Sequence, residues 1–207
     1  MSIVKLNNKA VSNATAFGSI TSLGSMTFIK KLTASSSATL SFVDGSDGVV
    51  LDDTYKEYVF TFKNIHAQTD QAKFTIGFRD GGTDYDAVKT TTVFEAFHRE
   101  NDSSAVLGYN TGEDIAQGTG FQTLANAVGN NNDDNCNGII NLFNPSSTVF
   151  VKHFISRTSQ NYRVGAPAEI DWFVAGYCNT TTAIDAVQFK MSTGNIDAGD
   201  ICLYGIA

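Results

Sequence analysis

The sequence predicts an all-β protein, a two-sheet antiparallel sandwich of about 8–10 strands. Short apolar segments alternate with polar residues at a period of two, as in strands with one buried face. Clusters of Gly, Asn, Ser and Thr separate these segments, as expected of tight turns. Aromatic residues, which favour strands, include 15 Phe and 7 Tyr, whereas only 2 Pro interrupt the chain.

The N-terminal half contains four predicted strands. Residues 25–33 and 38–43 form two of them, on either side of a serine-rich turn. Residues 56–65 and 73–79 alternate clearly between apolar and polar side chains, which indicates one buried face each. The residues predicted to face inward in these two strands are Tyr58, Phe60, Phe62, Phe74, Ile76 and Phe78.

The middle of the chain is less regular. Asp80, Gly81 and Gly82 form a strong turn signal, because glycine accepts positive φ without steric cost. Residues 89–98 then predict a further strand. Residues 99–136 are expected to be mostly polar loop, with a short strand or one helical turn within the sequence GTGFQTLANAVGN.

The C-terminal third predicts five strands, at residues 138–143, 148–156, 170–178, 186–191 and 201–206. Both faces of the third are apolar, as in a central strand that is covered on both sides. In the second, His153 shares an apolar face with Val151 and Ile155, which predicts a hydrogen-bonded core histidine. The last strand is expected to lie inside a sheet.

The predicted domain organisation is simple. Residues 1–24 are polar and small with no sustained period, which indicates an N-terminal arm or docking segment. Residues 25–207 show no linker and no internal repeat, so we expect a single β-sandwich domain there.

Charge and hydropathy argue against two partner classes. The formal net charge is −7, and Lys30 and Lys31 are the only adjacent basic pair, so a nucleic-acid partner is not expected. No apolar run approaches the ~20 residues that cross a bilayer, so no membrane association is expected. A soluble protein made in a reducing cytoplasm is the simplest interpretation.

The three cysteines are widely spaced and form no CxxC pair, which argues against a disulfide framework and against a zinc site. Cys178 and Cys202 fall in predicted strands and are expected to be small core residues. Cys136 lies in a polar run and is expected to be an exposed loop thiol.

The sequence shows no recognisable catalytic motif, so we predict a protein that is not an enzyme, with no catalytic residues and no cofactor. It has no GxSxG elbow, no HExxH and no phosphate-binding glycine loop. Its histidines and its candidate paired carboxylates are scattered: His66, His98, His153, Glu57, Glu95, Glu113 and Glu169. Glu95 alternates with apolar residues, so it faces a groove or an interface, or is an exposed strand residue.

Two acidic loops are weak candidates for calcium, which needs six to eight oxygen ligands. One contains Asp44 and Asp47, with Asp52 and Asp53 beyond them, and the other contains Asp133 and Asp134. Neither matches a known calcium-loop spacing, so no metal is predicted and solvated turn residues are the simpler interpretation.

Aromatic residues in predicted loops are the candidate ligand-binding residues. Tyr85, Tyr109 and Tyr162, together with Phe121, lie in or near loops. Such rings can stack on sugars, since they combine apolar area with a polar tip. They can equally anchor loops on the sheet edges.

The chain also resembles a known group of proteins. The segments that carry the resemblance are MSIVKLNNKAV, FIKKLTASSSATLSFV, AQGTGFQTLANAVGN, NPSSTVFVKHFISR and the ending GNIDAGDICLYGIA. The ending is similar to the closing strands of jelly rolls, which implies that the predicted fold is a two-sheet antiparallel jelly-roll sandwich. Over nearly its whole length the sequence resembles small virion structural proteins of marine tailed bacteriophages, of fibre or capsid-decoration type.

The resemblance implies a location in the virion after synthesis in the host cytoplasm. It implies a homo-oligomer, expected to be a trimer, in contact with capsid or tail proteins, and it implies no catalytic residues. The alternative is a lectin-like module at a fibre tip that binds host surface glycans. A glycan-degrading enzyme is the third and weakest interpretation.

Overall fold

The computed structural model describes residues 26–207, which form twelve strands and no helix. The strands are β1 Met26–Ser37, β2 Leu40–Val43, β3 Glu57–Ala67, β4 Ala72–Arg79, β5 Lys89–Arg99, β6 Ala105–Tyr109, β7 Gln122–Val128, β8 Cys136–Phe143, β9 Lys152–Tyr162, β10 Ala168–Cys178, β11 Ala186–Met191 and β12 Ile196–Ile206. The all-β prediction is therefore confirmed. The predicted N-terminal arm, residues 1–24, lies outside the described residues.

All strand pairs are antiparallel, and they join into one branched sheet. The long path runs β1-β12-β3-β8-β9-β10-β5-β6. The short branch runs β7-β4-β11-β2 and meets the long path at one residue pair, Val128 with Tyr162. β12 lies between β1 and β3, so the last strand is inside a sheet as expected.

The core lies where the short branch packs over the long path. Phe60 of β3 contacts Phe42 of β2 and Phe189 of β11, with ring centroids 5.3 and 5.6 Å apart. Phe78 of β4 and Phe154 of β9 lie 4.9 Å apart. All of the residues predicted to face inward from β3 and β4 are buried, although Val59, Thr75 and Gly77 on the opposite faces of these strands are buried as well.

The structure contains more strands than predicted. β6 and β7 both fall within residues 99–136, which were expected to be mostly loop, although a short strand was one option for the second of them. β6 spans five residues and is exposed on both faces, so it lacks the alternation that identifies a half-buried strand. Only its antiparallel pairing with β5 identifies β6 as a strand.

The facing of β9 corrects the prediction for His153. β9 begins at Lys152, and its inward residues include Lys152, Phe154 and Ser156, while His153 and Ile155 are exposed. Lys152 is tolerated inside because its ammonium donates hydrogen bonds to the carbonyls of Thr180 and Thr182, at 3.0 and 2.6 Å. The expected core histidine therefore lies on the outer surface.

Two further expectations are corrected. β10 is covered on one face only, since Ala175 is exposed on the other. Cys136 is fully buried as the first residue of β8, where it lies opposite Ile65 and Gln160, and it is not a loop thiol. Burial raises the pKa of the Cys136 thiol well above its usual value. The polar run before it hid the beginning of the strand.

Candidate interaction surface

The outward side of β8, β9, β10, β5 and β6, here called the outer face, is the most unusual surface of the described chain. Several of its large apolar side chains are exposed, including Leu107 at 75%, Tyr109 at 54%, Ile155 at 53% and Phe94 at 42%. Monomeric proteins rarely expose contiguous apolar patches of more than a few hundred Å². An uncovered apolar sheet face therefore marks a candidate for contact with another molecule.

A row of side chains crosses the outer face from strand to strand. The ladder registers place Ile139, Arg157, Phe173, Phe94 and Tyr109 directly opposite one another in that order. Side chains that lie opposite in a ladder are neighbours on one face. We call these five residues the outer row.

Close contacts stiffen the middle of the outer row. The rings of Phe94 and Phe173 are stacked, 4.5 Å apart and only 7° from parallel. The guanidinium of Arg157 lies 5.0 Å from the centre of the Phe173 ring. Because these groups stack on each other, they form a continuous ridge of side chains on the outer face.

An ion pair holds Arg157 in this position. Its guanidinium donates to both carboxylate oxygens of Asp171, at distances of 2.6–3.2 Å. These hydrogen bonds raise the pKa of Arg157. On the next row, the hydroxyl of Ser159 donates to Glu169 at 2.6 Å. The outer face therefore combines apolar and charged groups of both signs.

Two grooves flank the ridge. One has a volume of about 470 Å³ and an apolar lining that includes Ile155, Ala175 and Tyr177. The other, of about 530 Å³, is lined by Ile139 and Arg157 together with polar side chains. Both grooves are open, so they suit a surface contact better than an enclosed small molecule.

The three candidate tyrosines are not brought together. Tyr109 belongs to the outer row, and its hydroxyl donates to Asp114 at 2.7 Å. Tyr162 is partly buried against the core. Tyr85 lies in the loop between β4 and β5, with its ring 6.5 Å from that of Phe121.

Phe121 marks a second surface, on the short branch. Its ring lies on Gly77, where a Cβ atom would come within 2.5 Å of the ring. The ammonium of Lys190 lies 4.0 Å from the ring centre. A groove of about 520 Å³ surrounds it, lined among others by Lys73, Glu113 and Asp114.

The calcium candidates have other roles. Asp44 accepts the backbone N–H of Leu51 at 2.8 Å and so closes its loop, and Asp47 pairs with Lys30 at 3.5 Å. Asp133 is exposed, whereas its neighbour Asp134 is buried. Within residues 26–207, no three His, Cys, Asp or Glu side chains are grouped so that they could hold a metal ion.

Asp134 is held by an ion pair. The guanidinium of Arg163 donates to its carboxylate through Nε at 2.7 Å and through a second nitrogen. Burial alone would raise the pKa of Asp134, but the hydrogen bonds from Arg163 and Asn131 hold it below its usual value. This aspartate therefore ties the loop before β8 to the end of β9.

The candidate carboxylates occupy different environments. Glu57 accepts a hydrogen bond from Asn141, and Glu169 lies on the outer face. Glu113 is held by Lys73 and Thr123. Glu95 is half-buried on the inward side of β5, where burial raises its pKa, although a hydrogen bond from Asn110 partly opposes this.

The sequence did not predict two buried lysines. Lys89 and Lys152 lie opposite Cys178, one on each side, on the inward face. Lys89 donates to the carbonyls of Thr119 and Gly120. Burial lowers the pKa of both lysines and raises the pKa of Cys178 to about 12. Their role is to tie loops to the sheet, which no local sequence pattern signals.

Comparisons with protein families, curated proteins and solved structures give no match to this chain. The part of the chain that the structure describes contains no apolar helix of membrane-spanning length.

Proposed function

We propose that the chain is a non-enzymatic structural protein of a bacteriophage particle, a capsid decoration or a short fibre, that assembles as a trimer through the outer face. The resemblance of the sequence to virion structural proteins supports the particle role, and the single observation that carries the assembly is the apolar outer face with its ridge. Covering such a face with a neighbouring subunit stabilises the assembly by roughly 25 cal/mol per Å² of apolar surface removed from water.

The strand order supports a jelly roll at the centre of this protein. β1 pairs with β12, β2 with β11, β3 with β8 and β4 with β7, all antiparallel. These pairs form one long nested hairpin, in which β1, β2, β3 and β4 make the first arm and β7, β8, β11 and β12 make the second. Folding that hairpin over itself produces a jelly roll, which is an architecture of viral capsid and lectin domains.

The remaining strands support a surface role. β9, β10, β5 and β6 extend the long path beyond β8 and are not needed to complete the nested hairpin. They supply most of the outer face. Exposed apolar side chains on these four strands lower the solubility of the isolated chain. Contact with neighbouring subunits would bury them, which explains why the protein has them.

The quaternary part of the proposal is tested with Ile155→Glu, which places a charge on the outer face. We expect sedimentation of the purified wild-type chain to give three times the mass of the monomer, and the variant to sediment as a monomer. Val164→Glu is the matched control, since Val164 is exposed but lies in the loop between β9 and β10. A monomeric wild-type chain contradicts the trimer.

The particle part is tested separately by quantitative mass spectrometry of purified phage whose genome encodes the chain. A decoration protein is expected in tens to hundreds of copies, and a fibre in a few copies at each attachment point. Absence from the particle contradicts the proposal whatever the oligomeric state.

A second candidate function is glycan binding, and the groove at Phe121 favours it. There an aromatic ring lies among charged side chains of both signs, Lys73, Glu113 and Lys190 among them. Aromatic rings beside polar groups suit sugars, whose faces are apolar and whose edges are polar. A glycan array with the wild type and with Phe121→Ala tests this, and binding lost in the variant is the expected result.

A further inference from the structure

β6 is the last strand of the long path, and one of its edges is unpaired within residues 26–207. Asn110 donates its N–H to the carbonyl of Val93, and Arg99 donates its N–H to that of Ser104. Antiparallel strands alternate which residues face the partner strand. The N–H and C=O groups of Ala105, Leu107 and Tyr109 therefore point away from β5, and no group in the described residues pairs with them.

This edge lacks most of the features that prevent strands from pairing between chains. β6 reads AVLGY, with no charge and no proline, and its ladder with β5 has no register shift. The edge strand β1, by contrast, contains Lys30 and Lys31 and has a bulge after Phe28. Lysines and bulges are the usual means of blocking edge-to-edge pairing, and shortness is the only one that β6 uses.

We propose that β6 pairs with β6 of a second copy of this chain, antiparallel, about a two-fold axis at Leu107. This register uses the whole strand and places Leu107 opposite Leu107 of the second copy. In each copy, Ala105, Leu107 and Tyr109 then donate one N–H to a carbonyl of the other copy, so the free edge is satisfied.

The side chains are self-complementary in this register. Tyr109 lies opposite Ala105 of the second copy on the outer face, and Val106 lies opposite Gly108 on the other face. Tyr109 and Val106 therefore each meet a small residue, Leu107 meets its own counterpart on the two-fold axis, and the outer row of one copy continues towards that of the other. Two-fold interfaces require this self-complementarity of a single patch.

The junction is expected to be weak in dilute solution. A pair of five-residue strands buries less than the roughly 1,200–2,000 Å² of a stable protein interface. Copies that are held side by side reach effective concentrations in the millimolar range, where weak contacts form. The junction adds a two-fold contact to the proposed trimer. It uses the free edge of β6, whereas the trimer uses the outer face.

Cysteine cross-linking tests the register. In Leu107→Cys, the two cysteines lie in a hydrogen-bonded pair with Cα atoms about 5.5 Å apart, which a disulfide can span. In Val106→Cys, each cysteine lies one residue from the two-fold axis, on opposite sides of it, so the two are offset by two residues along the strands. Their Cα atoms therefore lie more than about 7 Å apart and cannot be bridged. The native cysteines are buried, so the wild type gives the background.

Under mild oxidation at millimolar protein concentration, we expect disulfide dimers to form at least about tenfold faster for Leu107→Cys than for Val106→Cys. Equal rates would mean random collision and would overturn the proposal. Leu107 is exposed, so the substitution leaves the fold intact, and circular dichroism checks this.

Amide hydrogen exchange of the wild type provides a second measurement. The amides of Ala105, Leu107 and Tyr109 are expected to gain protection as concentration rises, whereas that of Leu203, inside the sheet, is expected to stay constant. Unchanged exchange at these three amides would overturn the β6–β6 pairing, but not the proposed particle role. The particle role is decided independently by the copy number in the virion.

Discussion

β3 and β9 both lie in the long path and both turn every second side chain inward over much of their length, yet they place different chemistry inside. β3 buries Tyr58, Phe60 and Phe62. The inward residues of β9 are mostly polar and include Lys152 and Gln160. Alternation therefore identifies a strand, but it identifies the buried face only when the protein around that face is apolar.

The difference follows from what covers each strand. β3 lies under the phenylalanines of β2, β4 and β11, which offer only apolar contacts. β9 faces backbone groups that need partners: Gln160 accepts the N–H of Asn126 at 2.9 Å, and Lys152 donates to two carbonyls. Buried polar side chains persist where they satisfy such groups. Phe154 is the one apolar side chain among the buried residues of β9, whereas Ile155 lies on the outer face.

Phe60→Ala is expected to have the largest effect, because it empties the centre of the apolar region. Loss of a fully buried phenylalanine costs about 3–5 kcal/mol of the free energy of unfolding. Urea unfolding measures this as a lower midpoint with an unchanged slope. A cost below about 1.5 kcal/mol would mean that β3 is not the centre of the core.

The same contrast explains how far the sequence could predict the molecule. The all-β class and the facing of β3 and β4 were predictable, because their buried residues are apolar and local patterns record this. The facing of β9 was not, because Lys152 depends on carbonyls in a loop about 28–30 residues away. The outer row was hidden for a related reason, since its members come from five separate strands.

Of the three candidate ligand-binding tyrosines, only Tyr109 lies on this surface, and the sequence identified it only as a loop aromatic. Arg157, Phe173 and Phe94 become neighbours through strand pairing, and no spacing in the chain indicates it. β6 was missed because both of its faces are exposed. The regions that the sequence predicted least well are therefore those where the candidate interaction surface lies.

Asp134→Asn tests whether buried polar groups near the end of β9 stabilise the fold. Removing one partner of a buried ion pair leaves an uncompensated charge, and since Arg163 is partly exposed we expect a loss of about 2 kcal/mol at pH 7. Asp133→Asn is the matched control, because Asp133 is exposed and should change stability by less than about 0.5 kcal/mol.

The Asp134 contribution should also depend on pH. The folded-state pKa of Asp134 is lowered, so its stabilisation is present above the unfolded value of about 3.9 and is lost as pH falls through the folded value. The difference between wild type and Asp134→Asn should therefore be constant from pH 5 to 7 and shrink below about pH 4. Urea midpoints across this range measure it, and a difference that grows at low pH would contradict the ion pair.

Thr158→Val is expected to stabilise the protein. The Thr158 hydroxyl is buried on the inward side of β9, and no group in the described residues hydrogen-bonds it. Replacing it with a methyl group of similar size should raise the free energy of unfolding by about 1 kcal/mol. In Thr91→Val the same change removes a hydroxyl that donates to Gln122 at 2.6 Å, so a loss of about 1–2 kcal/mol is expected there. Equal effects in the two variants would mean that Thr158 is hydrogen-bonded.

Phe173→Ala should have the smallest effect on the isolated chain, although it removes the same side chain as Phe60→Ala. Phe173 is half-buried, and it loses one stacked ring and one guanidinium contact, which together suggest a cost of about 1 kcal/mol or less. The measurement is urea unfolding at protein concentrations below and above those at which the chain associates. If the cost rises towards that of Phe60→Ala at high concentration, the outer face is covered in the assembly, because only then is Phe173 fully buried. A small cost at every concentration would leave the outer face exposed and would contradict assembly through it.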